Sequence, residues 1–157
     1  EDLARFAEEK EAVYRELYAS HRAPTPGLRA FLASLQAADV PVAVATSAPT
    51  SNVAFILDGL EIRSFFDAII DASAVERGKP APDVYLQAAA ALGAKPARSI
   101  VFEDAQLGIE AGLAAGATVV ALATTHTREE LPAERVAAVI DHFDGVEVEW
   151  LHGLLNR

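Results

Sequence analysis

The chain has 157 residues, 52% of them hydrophobic and 23% charged, which is enough to bury a core and excludes a disordered acidic tail. Its 13 basic and 23 acidic residues give a formal net charge of −10, which disfavours binding to a nucleic-acid backbone. The absence of cysteine excludes disulfides and thiolate metal sites, and no apolar run reaches the roughly 18 residues of a membrane span. The sequence also lacks methionine and begins with Glu1, so we expect that it has been processed or trimmed, or begins part-way through its protein.

An amphipathic helix is predicted over residues 1–21, because apolar residues recur there at helical spacing. Lys10 occupies a position on that face where another apolar residue would be expected. The residues that form this predicted face are Leu3, Phe6, Ala7, Val13, Tyr14, Leu17 and Tyr18. Pro24, Pro26 and Gly27 end the helix, and a second helix follows over 28–35.

Strands and helices alternate from there to the end of the chain. The predicted elements are, in order, a strand over 42–45, a helix over 51–60, a strand over 68–70, a helix over 83–92, a strand over 99–102, a helix over 108–115, a strand over 118–123, a helix over 129–136, and a short strand and final helix within 139–157. Continuous apolar strands that alternate with helices indicate an α/β fold, a Rossmann-like parallel sheet with helices on both faces.

Polar residues follow three of the predicted strands, at the sheet edge where open α/β proteins bind ligands. Thr46 and Ser47 follow the first strand, a loop with Lys79 follows the second, and Glu103 and Asp104 follow the third. Two adjacent carboxylates suit Mg²⁺, which takes one or two carboxylates together with water and phosphate oxygens. With a hydroxyl and an ammonium beside them, these groups favour phosphoryl transfer.

Each of these groups also has a purely structural interpretation. Thr46 and Ser47 can cap the next helix, Lys79 can be a solvated loop lysine, and Asp104 can cap the helix that follows the acidic pair. Two prolines, at positions 80 and 82, stiffen the backbone around Lys79, which favours a fixed position for its ammonium group.

The motifs resemble those of the haloacid dehalogenase-like hydrolases, in the branch of sugar-phosphate phosphatases and β-phosphoglucomutases with a small helical cap. The matching segments occur in the family's order over nearly the whole chain, and they are Val42–Ser47, Phe65–Ile69, Gly78–Asp83 and Val101–Asp104 with its continuation to Gly112.

The resemblance implies a role for each polar residue at the sheet edge. Thr46 and the Ser47 backbone would bind the transferring phosphoryl group, and Lys79 would pair with this group and with the nucleophile. Asp104 would bind Mg²⁺ directly, and Glu103 would hold a metal-bound water. Ala105 replaces the serine that usually follows the acidic pair.

Residues 1–22 would be the last helix of the cap, where Lys10 would reach the substrate, and residues 23–157 would form the core. The alternative for Lys10 is a side chain whose stem packs while its ammonium reaches water.

The family's first motif, Asp-x-Asp-Gly-Thr/Val, is absent from this sequence. That motif carries the nucleophile and the general acid/base on the central strand. Asp141 and Asp144 precede Gly145 but are three residues apart, so they would not project together from a strand. We therefore expect a core without its central strand, a parallel sheet split in two, and an inactive isolated chain whose nucleophile lies upstream.

The resemblance implies, for the intact protein, a Mg²⁺-dependent phosphatase that hydrolyses a small phosphorylated metabolite through an aspartyl-phosphate. Two alternatives stay open, a phosphomutase of the β-phosphoglucomutase type and a catalytically incomplete phosphate-binding or assembly module. We expect a cytoplasmic monomer that binds neither nucleic acid nor membrane.

Overall fold

The computed structural model describes residues 2–20 and 23–156, except for the side chains of residues 2–4 and 7. Its helices are α1 (Asp2–Tyr18), α2 (Leu28–Ala37), α3 (Thr50–Gly59), α4 (Asp83–Ala91), α5 (Gln106–Ala114) and α6 (Val148–Leu155). Its strands are β1 (Ala43–Ala45), β2 (Ala68–Ile70), β3 (Ile100–Glu103), β4 (Thr118–Leu122) and β5 (Ala138–Ile140). Among these helices, none combines the length and the apolar character that crossing a membrane would need.

The described strands form two separate parallel sheets. One sheet pairs β1 with β2, with Val44 opposite Ile69. The other has the order β3-β4-β5, with Val101 opposite Val119 and Ala121 opposite Val139. The predicted α/β fold is confirmed, and so is the predicted division of the parallel strands into two groups.

Helices cover both faces of the three-stranded sheet because successive strand residues point to opposite faces. Val101 and Val119 pack with α4 and α5 residues such as Tyr85 and Ile109. Their strand neighbours pack on the other side, against α2 and α6. The residues of that second layer include Phe31, Leu35, Ile100, Phe102, Leu122, Phe143 and Leu151.

A turn at Gly27 sets the direction in which α2 leaves the chain segment before it. Gly27 has φ of 78°, in the left-handed region that favours glycine. A side chain there would also collide with the backbone of Phe143 and Asp144. The neighbouring Pro26 carbonyl accepts a hydrogen bond from the Phe143 N–H at 2.8 Å, so this turn ties α2 to the segment before α6.

An apolar cavity of about 360 Å³ lies between the two sheets. Residues of β1 and β3 line it from either side, and α2, α4 and α6 residues complete its walls. We call this space the inter-sheet cleft. It lies where two parallel strand edges face each other without a hydrogen-bonded strand between them in the described part of the chain.

The predicted helix over 129–136 is wrong. The structure has short turns there, closed by bonds such as Glu130 N–H to the Thr127 carbonyl and Arg135 N–H to the Pro132 carbonyl, at 3.1 and 2.9 Å. Pro132 has no N–H to donate and disfavours a helical backbone at the preceding residue. Leu131 is nevertheless buried in the core, with 4% of its surface exposed.

The first predicted helix is observed as α1, while Glu1, His21 and Arg22 lie outside the described residues. Three side chains of its apolar face are largely exposed, with 59% of Phe6, 55% of Val13 and 70% of Leu17 accessible. Leu3 and Ala7, from the same predicted face, are not among the described side chains. α1 meets the core through Arg15, which donates to Asn52 on α3 at 2.8 Å.

Candidate active site

Glu103 ends β3 and is buried, with both carboxylate oxygens occupied by protein donors. Oε1 accepts hydrogen bonds from the Lys79 ammonium and, at 2.7 Å, from the Tyr85 hydroxyl. Oε2 accepts the backbone N–H groups of Asp104 and Ala105, at 3.0 and 3.1 Å. Four donors satisfy the roughly four lone-pair positions of one carboxylate, which is how this charge is kept in the interior.

Lys79 is held at this edge by contacts on two sides. Only 14% of its side chain is exposed, and its ammonium group forms an ion pair with Glu103. The same nitrogen lies 5.0 Å from the centre of the Tyr85 ring, a cation–π distance. The solvated-lysine alternative therefore does not describe this structure.

The Tyr85 hydroxyl acts as a neutral donor. Burial, followed by the charge of Glu103 and the hydrogen bond to it, raises the pKa of Tyr85 far above its ordinary value. The Tyr85 proton therefore stays on the phenol, pointing at the carboxylate.

Asp104 is half-buried at the carboxyl end of β3, beside the buried pair. Its Oδ2 accepts hydrogen bonds from the hydroxyls of Thr124, at 3.3 Å, and Thr125. The helix α5 begins after Ala105 without a side-chain cap, so Asp104 does not cap it. Its carboxylate therefore remains at the edge, among hydroxyl groups.

The carboxylates at this sheet edge can be compared with the ligands that Mg²⁺ takes in proteins. Among the described residues no three His, Asp or Glu side chains converge. Asp104 offers a carboxylate whose Oδ2 accepts the hydrogen bonds from the hydroxyls of Thr124 and Thr125. Mg²⁺ is held by one or two protein carboxylates, with waters and phosphate oxygens completing its coordination, so Asp104 fits this ion. Glu103 has its oxygens engaged by four protein donors in this arrangement.

Asp71 provides a third carboxylate at the ends of the strands, after β2. It accepts hydrogen bonds from the Ser73 N–H and hydroxyl, at 2.9 and 2.6 Å, and from the Thr50 hydroxyl at 2.5 Å. These bonds, those of Ser73 first, hold the pKa of Asp71 below its usual range. Asp71 thus ties the loop after β2 to the start of α3.

Thr46 and Lys10 line a second cavity, of about 310 Å³, between α1 and α3. Thr46 accepts the Ala48 N–H at 3.1 Å, and α3 begins only after Pro49, so neither Thr46 nor Ser47 caps that helix. The Lys10 side chain is 82% exposed and lies 3.6 Å from Glu11, so its stem does not pack.

The structure therefore divides the predicted site residues into two groups. Lys79, Glu103 and Asp104 form one connected cluster through side-chain and backbone contacts. Thr46 and Lys10 share the second cavity, and no hydrogen bond joins them to that cluster in the described part of the chain.

Sequence reasoning missed Tyr85, Thr124, Thr125 and Gly108. Only Ala123 separates the two threonines from the end of β4, so their place just after a strand is the signal that could have found them. Gly108 lies inside α5, where an isolated glycine is a signal of close approach, since it weakens a helix by roughly 1 kcal/mol relative to alanine. Tyr85 has no comparable signal in its local sequence.

Comparison with known proteins identifies the family. The model of the haloacid dehalogenase-like hydrolases matches residues 1–116. This match covers more than half of the chain, and the chain belongs to the haloacid dehalogenase-like hydrolases.

Relatives and solved structures agree with this assignment. A validoxylamine A 7'-phosphate phosphatase of Streptomyces hygroscopicus subsp. limoneus is 40% identical over 126 residues, 80% of this chain and 57% of the relative. A phosphorylated carbohydrates phosphatase of Thermotoga maritima is 34% identical over 112 residues, 71% of this chain and 50% of the relative. The crystal structure of a family IA, variant 3 hydrolase from Entamoeba histolytica superposes with a TM-score of 0.91 at 32% identity, covering 99% of this chain and 72% of that one. The chain thus spans about half the length of these curated relatives.

Proposed function

We propose that the complete protein is a Mg²⁺-dependent phosphatase that hydrolyses a small, sugar phosphate-like metabolite through an aspartyl-phosphate. The observation that carries this proposal is the Lys79 ammonium group, which Glu103 and the Tyr85 ring hold in a largely buried position beside Asp104. A fixed cation at the edge of a parallel sheet suits a phosphoryl group, whose charge must be stabilised during transfer.

The residues at the sheet edge have separate proposed roles. Lys79 binds a phosphoryl oxygen and the attacking carboxylate. Its ammonium group is already held in place by the ion pair with Glu103, so it need not be repositioned during the reaction. Thr46 donates its hydroxyl proton to a second phosphoryl oxygen while its own oxygen accepts the Ala48 N–H, and the backbone at Ser47 continues this anion site.

Asp104 is the proposed direct ligand of Mg²⁺, and the hydroxyls of Thr124 and Thr125 keep its carboxylate oriented. The ion would supply charge neutralisation at the phosphoryl oxygens. Glu103 is the proposed partner of a metal-bound water. This role requires that one of the four hydrogen bonds that Glu103 accepts from the protein be broken, so that the water can donate in its place.

We further propose that the inter-sheet cleft takes a parallel strand carrying the nucleophilic aspartate, from a segment outside these 157 residues. The cleft is lined on opposite sides by β1 and β3, whose unpaired edges suit a strand laid between them. An acid at the end of such a strand would emerge between the edge residues that follow β1 and β3, Thr46 and Asp104.

The proposed substrate class rests on the relatives and on the second cavity. One curated relative is named as a phosphatase of validoxylamine A 7'-phosphate and the other as a phosphatase of phosphorylated carbohydrates. In this chain the second cavity offers Lys10, Glu11 and Asn52 beside Thr46, polar groups suited to a hydroxylated substrate. We propose that residues 1–22 belong to a cap and residues 23–157 to the core.

The test is a phosphate-release assay on the complete protein with a panel of sugar phosphates, run with Mg²⁺ and with chelator. We expect free phosphate with Mg²⁺ and none with chelator. Conversion to an isomeric sugar phosphate without phosphate release would identify a phosphomutase instead. Binding of phosphate esters without turnover of any of them would identify a phosphate-binding module.

A further inference from the structure

Glu103 can occupy its buried position because the residue that faces it on α5 is glycine. A Cβ atom built on Gly108 would overlap the carboxyl group of Glu103. The atoms it would meet are the far end of a flexible side chain, so an alanine there would displace the carboxylate rather than the helix. Gly108 itself is buried, so this contact lies in the interior of the protein.

Tyr85 holds the same carboxylate from α4. Its hydroxyl donates to the oxygen that also accepts from Lys79, at 2.7 Å, and its ring lies 5.0 Å from the Lys79 nitrogen. Tyr85 is buried, with 8% of its surface exposed, so its position is set by the core. The position of the Lys79 ammonium group is therefore set by the Tyr85 ring and by the Glu103 carboxylate. That carboxylate accepts the Tyr85 hydroxyl and lies close against Gly108.

We propose that Tyr85 and Gly108 are positioning residues that set the location of the Lys79 ammonium group through Glu103. The consequence for turnover rests on the proposed function of Lys79. Neither residue touches the site of a phosphoryl group in this proposal, and each acts through the carboxylate that it supports.

The test measures the exposure of Lys79 directly, without relying on activity. The chain has three lysines, Lys10, Lys79 and Lys95, and their acetylation by a water-soluble reagent can be followed separately by mass spectrometry. Lys95 is exposed and serves as the internal standard. In the complete protein, Tyr85→Phe keeps the ring and removes the hydroxyl. We expect the acetylation rate of Lys79 to rise about fivefold, the order of one lost hydrogen bond.

Gly108→Ala should have the larger effect, a rise of about tenfold or more, because it displaces the carboxylate to which Lys79 is bound. The matched controls are Tyr18→Phe on α1 and Gly153→Ala on α6, where a new Cβ meets no atom within 4 Å. Neither control should change the rate at Lys79. Circular dichroism shows whether each variant is folded, and Tyr85→Phe keeps the proposal testable if Gly108→Ala does not fold.

The outcomes separate this proposal from the proposed function. Rates at Lys79 within twofold of wild type in a folded Tyr85→Phe protein would overturn the positioning role. When the rates rise, we expect kcat for a phosphate ester to fall by about fivefold or more, while the controls keep the wild-type value. A large rise in acetylation with unchanged kcat would confirm that these residues locate Lys79 and would overturn the role of Lys79 in phosphoryl transfer.

Discussion

Replacing Glu103 with glutamine would leave the Lys79 ammonium group without its charge partner in a largely buried position. Only 9% of the Glu103 side chain and 14% of the Lys79 side chain are exposed. The amide also mismatches its donors, because its NH₂ group would face either the Lys79 and Tyr85 donors or two backbone N–H groups. Breaking a buried ion pair by removing one partner costs about 3–5 kcal/mol, and the residual exposure of Lys79 favours the lower value.

The assay is urea unfolding followed by circular dichroism. With a urea dependence of ~2 kcal/mol per M, a loss of ~3 kcal/mol lowers the midpoint by about 1.5 M. Asp58→Asn is the matched control, since it removes a carboxylate from an exposed ion pair with Arg63. The control should leave the midpoint unchanged, because exposed pairs contribute little to stability. A Glu103→Gln midpoint equal to that of wild type would refute the buried ion pair as we describe it.

Three further predictions concern other parts of the molecule. In the complete protein, Asp104→Asn should reduce Mg²⁺-dependent phosphate release by about 100-fold or more at limiting Mg²⁺, and near-normal release would show that Asp104 is not the ligand. The pKa of Asp71 is lowered in the folded protein, so its carboxylate stabilises the fold above its ordinary pKa and this stabilisation is lost as pH falls through the pKa of the folded state. The difference in urea midpoint between wild type and Asp71→Asn should therefore be clear at neutral pH and shrink below about pH 4. A difference that grows on acidification would contradict this. Ile109→Ala, at a position with no exposed surface, should cost about 2–5 kcal/mol in the same unfolding assay, whereas Leu86→Ala, at a position with 42% exposed, should cost much less.

The sequence was most informative where one physical pattern determined the local structure. Strands such as Ile100–Glu103 are continuous apolar runs that end at charged residues, so both the strand and its polar end could be predicted. The segment 129–136 does not form the predicted helix, because Pro132 has no N–H to donate and disfavours a helical backbone at the preceding residue.

The contacts within the site could not be predicted to the same extent. Lys79 and Glu103 are 24 residues apart, and their pairing depends on the path of the loop that carries Lys79 and on the packing of α4. The position of Glu103 depends in turn on Gly108, through a contact that only the packing of α5 against β3 reveals. The polar residues after the strands were enough to predict which edge of the sheet carries the site. The partner of each charged side chain depends on tertiary packing and could not be predicted from the sequence.

The most direct test of the central claim is the rate at which the complete protein releases phosphate from its best sugar phosphate after Lys79→Ala. Removing a fixed cation from a site of phosphoryl transfer should lower kcat by about 10²–10³-fold, with the folded structure checked by circular dichroism. We expect a fall of this size in Lys79→Ala and wild-type turnover in Lys95→Ala, whose lysine is exposed after α4. Turnover by Lys79→Ala within twofold of wild type would contradict the assignment of this sheet edge as the site of phosphoryl transfer.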